Sequence, residues 1–297
     1  TIRPSRRRVL TVRLGITAAL TDIDLAPAAL ALATEELGFD SLYLPEHTHL
    51  PVAEDTPPGL VEGVRLDDYK RCLDPLVALS TAAAVTTRIG LGTGILLAAQ
   101  HDPILLAKQV ATLDHLSGGR ITLGVGYGWN RTEAEDHGVD WARRHDVVRE
   151  HLAAAEAIWS SDQAEYHGEF VDFGPTWSWP KPVQQPRVRT LVGGGTNDAV
   201  LTAVVESADG WIPIGGAGLA AAIPRLHALA VEAGRDPADL AVVPFGTLPD
   251  RGKLEHYAGL GVAEVVLRVR AGDEASVRAE LESLAPLVPF AATLEQP

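Results

Sequence analysis

The chain is predicted to fold as an α/β protein, a (β/α)8 TIM barrel with an irregular insertion between its fourth unit and its fifth strand. Three observations predict it. Short runs rich in Val, Ile and Leu alternate with helical segments, and eight such pairs can be counted along the 297 residues. Many of these runs are apolar at consecutive positions, as befits strands covered by helices on a parallel sheet. Eight strand–helix units in about this length match a closed barrel. A doubly wound open sheet needs no such number and usually carries a phosphate-binding Gly motif after its first strand. Here that strand is followed by Ala18-Ala19-Leu20.

The units run in order. Val12 to Thr17 reads as the first strand, and Ala26 to Leu37 as a helix with Pro27 in its first turn and Gly38 ending it. Ser41 to Glu46 is the second strand. Asp74-Pro75 opens a helix to about Thr86, with Asp74 as N-cap. Ile89 to Ile95 is the third strand, and Asp102-Pro103 starts a helix to Leu116. After the turn Ser117-Gly118-Gly119 comes the fourth strand, Ile121 to Gly128, then helices from Thr132 to Trp159. The stretch from Ser160 to Arg189 breaks the repeat with four prolines and five aromatics, and reads as an insertion. Strands five to eight are Thr190–Gly195, Gly210–Gly215, Ala241–Gly246 and Glu264–Val269. Their helices are Asp198–Ser207, Leu219–Ala233, Arg251–Ala258 and Asp273 to about Leu287. All of this reads as a single domain over residues 1–297.

Composition narrows the function classes. Hydrophobic residues at 46% and charged residues at 22% indicate a globular chain. Twenty-five basic and 39 acidic residues give a net charge of −14, which argues against nucleic acid or an anionic membrane as main partner. A lone cysteine, Cys72, excludes an internal disulfide and a cysteine-based zinc site, and fits a reducing cytoplasm. Ser5 to Leu10 looks like the start of a twin-arginine signal, but Arg13, Asp22 and Asp24 interrupt the apolar run such a signal needs. A basic tail leading into the first strand, and a cytoplasmic protein, are expected.

A barrel places its chemistry at the C-terminal ends of its strands. There stand Glu46, His47 and His49 after strand two, and Thr93, Gly94 and Ile95 after strand three. Gly126, Gly128, Trp129 and Asn130 follow strand four, and Gly193, Gly194, Gly195 and Thr196 follow strand five. Glu46-His47-Thr48-His49 is the main titratable cluster, and a histidine there can exchange a proton near neutral pH. His47-x-His49 also suggests a metal pair. Strands five and six end in glycine with no His, and strand eight is followed by arginines before Asp273, so no metal is expected. Gly193 to Thr196 lead into a helix start, an arrangement whose backbone N–H groups suit phosphate. The alternating glycines of Gly124 to Gly128 let the strand approach a planar ligand, with Trp129 as a wall.

These residues resemble the luciferase-like monooxygenase superfamily of flavin and deazaflavin enzymes, and most closely its bacterial branch that uses coenzyme F420. The resemblance spans about residues 10 to 270. It is carried by Ala33 to His47, Asp74-Pro75-Leu76, Arg88 to Ile95, Pro103 to Gln109, the specific element Leu113 to Arg120, Lys181 to Gln184, Gly193 to Thr196 and Ala208 to Trp211. It implies an F420-dependent oxidoreductase transferring hydride to or from a small organic substrate. His47 and Glu46 would act at the ring, where many members have Asp-His. A non-proline cis peptide would lie at Gly94-Ile95, Thr93, Gly126, Trp129 and Asn130 would surround the ring, and Gly193 to Thr196 would hold the phosphate. Members acting on sugar phosphates carry a catalytic Glu about where Trp129 stands, which argues against that substrate. Two alternatives stay open: an FMN-dependent monooxygenase using O2, and a barrel that binds a flavin without turnover. By family analogy a homodimer is expected.

Overall fold

The computed structural model describes residues 11–52 and 66–296. The Arg-rich stretch from Ser5 to Leu10 lies outside them. The chain forms β1 (Arg13–Thr17), α1 (Pro27–Glu36), β2 (Ser41–Leu44), α2 (Leu66–Lys70), α3 (Pro75–Val85), β3 (Gly90–Thr93), α4 (Pro103–Ser117) and β4 (Ile121–Val125). Next come α5 (Arg131–Asp136), α6 (Arg144–Ser160), β5 (Ala164–His167), β6 (Asp172–Thr176), β7 (Arg189–Gly193), α7 (Asp198–Ser207) and β8 (Gly210–Ile212). The last are α8 (Leu219–Glu232), β9 (Ala241–Val242), β10 (Phe245–Thr247), α9 (Arg251–Gly259), β11 (Glu264–Arg268), α10 (Glu274–Leu284) and α11 (Leu287–Ala291).

The main sheet is parallel, in the order β10-β11-β1-β2-β3-β4-β7-β8-β9. Its two end strands are halves of the seventh strand expected from sequence. Pro244 has no N–H to give a ladder, and the strand divides there. The backbone bridges the break: Val243 N–H donates to Trp211 O, Phe245 N–H to Pro213 O, and Val266 N–H to Pro244 O. The sheet thereby closes into the expected (β/α)8 barrel.

Two apolar layers result. Tyr43, Leu191, Ile212, Val243 and Val266 fill the barrel interior. A larger core between strands and helices includes Leu30, Leu79, Val110, Leu201, Leu226 and Leu281. Asp74 and Asp102 cap α3 and α4 as expected, accepting from the N–H groups of Val77 and Leu105.

The insertion corrects one expectation. It is not wholly irregular: β5 and β6 pair as an antiparallel hairpin. The residues after that hairpin dock on α4, where fully buried Asp114 accepts from Gln184 N–H at 3.0 Å and Gln184 Nε2 at 2.7 Å. The Leu113 to Arg120 element is thus a structural clamp. The Arg120 guanidinium donates to the carbonyls of Ser117, Ile89 and Thr86 and to the Thr86 hydroxyl.

The N-terminal end of the barrel is shut by buried Glu264. It accepts from Ser41 Oγ at 2.6 Å, Tyr43 OH at 3.2 Å and Arg13 Nη2 at 2.8 Å, with Arg189 Nη1 at 3.7 Å. Burial, and then the Glu264 charge, push the Tyr43 phenol far up. No helix among the described residues is long and apolar enough to cross a membrane.

Candidate active site

At the other end of the barrel the strand ends surround a cavity of about 260 Å³. Its lining comes from the end of β1 and the two residues after it (Thr17 to Ala19), the residues after β2 (Pro45 to His47), α2 (Tyr69), the bulge after β3 (Gly94, Ile95, Leu97), the turn after β4 (Gly128, Trp129), Ile214, Phe245, Gly246 and Arg268. Most of that surface is apolar, which suits a flat organic ring.

Beyond β2 the chain turns inward at Pro45, and Glu46 and His47 are both buried. Glu46 is an anchor. One oxygen accepts from Leu97 N–H at 2.5 Å and the other bonds His101 Nε2 at 2.8 Å. Burial opposes charge on His101, but the hydrogen bond and charge of Glu46 outweigh it and raise its pKa. This pair pins the segment that follows the cis peptide at Gly94-Ile95, which the structure contains where the family resemblance implied it. A Cβ on Gly94 would collide with the Phe245 ring, and one on Gly126 would sit 2.6 Å from Ile95 Cδ1. Glycine at both positions leaves room for the bulge to face the cavity.

His47 is held by a residue that the sequence did not reveal. Its Nδ1 lies 2.9 Å from Glu133 Oε2, and Glu133 is 1% exposed. The other Glu133 oxygen accepts from Thr48 N–H at 2.9 Å. An ionised carboxylate only accepts, so Nδ1 carries a proton and Nε2 is left for a ligand. Asn130 accepts from Glu133 N–H and caps α5. Asn130-x-x-Glu133 has the spacing of a capping box, which is the one sequence signal for Glu133; here the acid turns to His47 instead of back along the chain. The His47 ring also packs edge-on against Tyr69, centroids 4.8 Å apart, and lies 5.4 Å from Trp129.

Of the residues expected at the site, Glu46, His47, Gly94, Ile95 and Trp129 line this cavity. Others stand behind it. The Thr93 hydroxyl donates to Gly124 O at 2.7 Å, Gly126 lies under Ile95, and Asn130 is a helix cap. Gly193 is buried in β7, while Gly194, Gly195 and Thr196 form the turn into α7 outside the cavity lining. At that turn the Asn197 side chain caps α7 and Asp198 pairs with Arg225. His47 and His49 do not converge: His49 Nε2 bonds Asp136 at 3.0 Å. Among the described residues no three His, Cys, Asp or Glu side chains gather to hold a metal. Tyr69 and His101 were also invisible from sequence. The Cys72 thiol, pushed up to about 12 by burial, is no nucleophile near neutral pH.

The family profile of the luciferase-like monooxygenases matches residues 25–248. An uncharacterized protein of Mycobacterium tuberculosis is 42% identical over 271 residues, covering 90% of this chain and 95% of the relative. Among solved structures, the monooxygenase RslO1 from Streptomyces bottropensis superposes with TM-score 0.78 at 20% identity, over 95% of this chain and 100% of that one. The coenzyme F420-dependent tetrahydromethanopterin reductase from Methanopyrus kandleri gives 0.64 at 16%, over 95% and 100%. A type II Baeyer-Villiger monooxygenase from Pseudomonas putida in complex with FMN gives 0.63 at 19%, over 84% and 71%.

Proposed function

The chain belongs to the luciferase-like monooxygenase family, and from that premise we propose an oxidoreductase that binds coenzyme F420 and passes hydride to or from a small organic substrate. One observation carries the reading: an imidazole, fixed by a buried carboxylate, on the wall of an apolar cavity backed by the Gly94-Ile95 bulge. The residues fit a flat tricyclic ring. Ile95, Phe245, Ile214 and Trp129 offer apolar surface, and glycine at 94 and 126 keeps the bulge in place. Gly194 to Thr196, ahead of α7, would hold the phosphate through backbone N–H groups, which suits a protein of net charge −14 meeting an anionic cofactor.

The bound cofactor supplies or accepts the hydride. The protein supplies the rest. Glu133 keeps the proton on His47 Nδ1, so Nε2 presents either a lone pair or, in the imidazolium, a proton to the reacting atom. The apolar walls keep bulk water from it. Glu46, with both oxygens engaged, positions the bulge.

Titration with F420, followed by its fluorescence, tests the reading. Binding at micromolar concentration or tighter is expected, with FMN weaker. An FMN-dependent monooxygenase is the second reading, because the same fold holds FMN in the Pseudomonas putida enzyme. Tighter FMN binding with substrate-linked O2 uptake would establish it in place of the first.

A further inference from the structure

The floor of the barrel has a recess of its own, at the end away from the active site. It measures about 420 Å³ and reaches the Glu264 plug. Four arginines line it: Arg13 from β1, Arg88 ahead of β3, Arg120 ahead of β4 and Arg189 from β7. Among the described residues, the acids in its lining are Asp40 and Glu264. Positive charge therefore gathers here in excess, on a chain whose net charge is −14.

The hydrogen bonds do not cancel that excess. Arg120 spends its guanidinium on backbone carbonyls and the Thr86 hydroxyl, and Arg88 on the carbonyls of Glu35 and Phe39. Burial lowers the Arg120 pKa, and the charge of Glu35 offsets only part of that. Arg13 and Arg189 share one acceptor: Arg13 Nη2 lies 2.8 Å and Arg189 Nη1 3.7 Å from the same oxygen of Glu264. Its other oxygen takes the Ser41 and Tyr43 hydroxyls. Arg189 Nη1 also donates to the Thr122 hydroxyl at 3.2 Å. These bonds use only part of each guanidinium fork. Three strands separate β1 from β7 in the sheet, so the two forks reach the recess from opposite sides of the barrel. Gly90 keeps the recess open. A Cβ there would make only ordinary contacts, with Ser41 Cβ at 3.5 Å and Asp40 O at 3.6 Å. What glycine provides at this position is space.

Surplus positive charge, with forks that approach from two sides, matches a dianion whose oxygens lie in more than one plane. A phosphate group is such an anion. A carboxylate is planar and carries one charge. We propose that this recess is a phosphate-binding site, separate from the active site, in which Arg13 and Arg189 grip the oxygens and Arg88 and Arg120 supply positive field. The bound group ties β1 to β7 across the barrel floor. Because it binds the folded chain, it stabilises that chain in step with its occupancy. The recess is larger than the group alone, so free phosphate and a phosphate monoester share this chemistry. The site needs no cofactor and stands independently of the oxidoreductase reading.

The probes are inorganic phosphate and glycerol 3-phosphate, with acetate and sodium chloride at matched ionic strength as controls. Calorimetry and the Tm report binding, to the protein alone and in the presence of F420. The wild type should bind phosphate with a Kd of about 1 mM or tighter, and its Tm should climb with either phosphate probe but with neither control. Arg13→Gln should weaken binding roughly tenfold or more, with Arg13→Lys in between. Gly90→Asp sets a carboxylate in the recess and should abolish the response. Gly90→Ala should keep it, and reports that the fold accepts a side chain at this position. Tighter binding of glycerol 3-phosphate identifies a phosphorylated metabolite as the ligand, and tighter binding of inorganic phosphate identifies the free ion; both support the site. Three results would overturn the proposal: a Tm rise no larger in phosphate than in chloride, binding unchanged in both Arg13→Gln and Gly90→Asp, or displacement of phosphate by F420. The last would put the anion at Gly194 to Thr196 instead.

Discussion

Glu133 decides what His47 can do. A neutral amide at position 133 no longer compels Nδ1 to keep the proton, so the imidazole loses its fixed tautomer. Glu133→Gln is therefore expected to lower kcat/KM by roughly ten- to a hundredfold. Cofactor affinity should stay within about twofold, and Glu133→Asp should recover part of the rate. Loss of F420 binding together with rate would instead assign Glu133 to cofactor binding. At Glu46 the expectation concerns stability. His101 has a raised pKa in the fold, so its bond to Glu46 stabilises fully below the ordinary histidine value of about 6.5 and is lost as pH rises through the raised one. The Tm gap between wild type and His101→Gln should be widest near pH 6 and narrow above it; a gap that grows with pH would contradict the assignment.

At the scale of elements, the N-caps carry a measurable share. Asp74→Ala and Asp102→Ala should each cost about 1 kcal/mol in urea unfolding, because each leaves an N–H at the start of α3 or α4 without its acceptor. These caps were legible in sequence, as were the strands with their runs of Val, Ile and Leu, because periodicity and capping are local. His47 was legible because β2 delivers it to the end of the barrel where chemistry gathers. What sequence left out is nonlocal or short. Glu133 meets His47 across 86 positions of chain. Tyr69 rides on a helix of five residues, LDDYK, too brief and polar for a periodic signal. The hairpin of β5 and β6 has four- and five-residue strands, one of them holding Pro175. The division of the seventh strand had a visible cause in Pro244, but only the hydrogen bonds on either side show the barrel closing across it.

At the scale of the molecule, the polar plug beneath the barrel is a point of vulnerability. Glu264 gathers two hydroxyls and an arginine in a buried setting. Glu264→Ala removes the buried acceptor of the Ser41 and Tyr43 hydroxyls and of Arg13, and should cost about 1–3 kcal/mol. Glu264→Gln, which keeps a hydrogen-bonding side chain, should cost less. Equal Tm values for both variants would show that shape, rather than charge, closes this end.

The same plug, with the packed side chains of Tyr43, Leu191, Ile212, Val243 and Val266 above it, makes the barrel blind at one end. Whatever enters must also leave past the strand ends where it came in. Two reactants that share one doorway cannot exchange independently. The partner lying against the floor has to arrive first and depart last. Steady-state kinetics should therefore show compulsory-order addition, with product inhibition competitive toward the leading reactant alone.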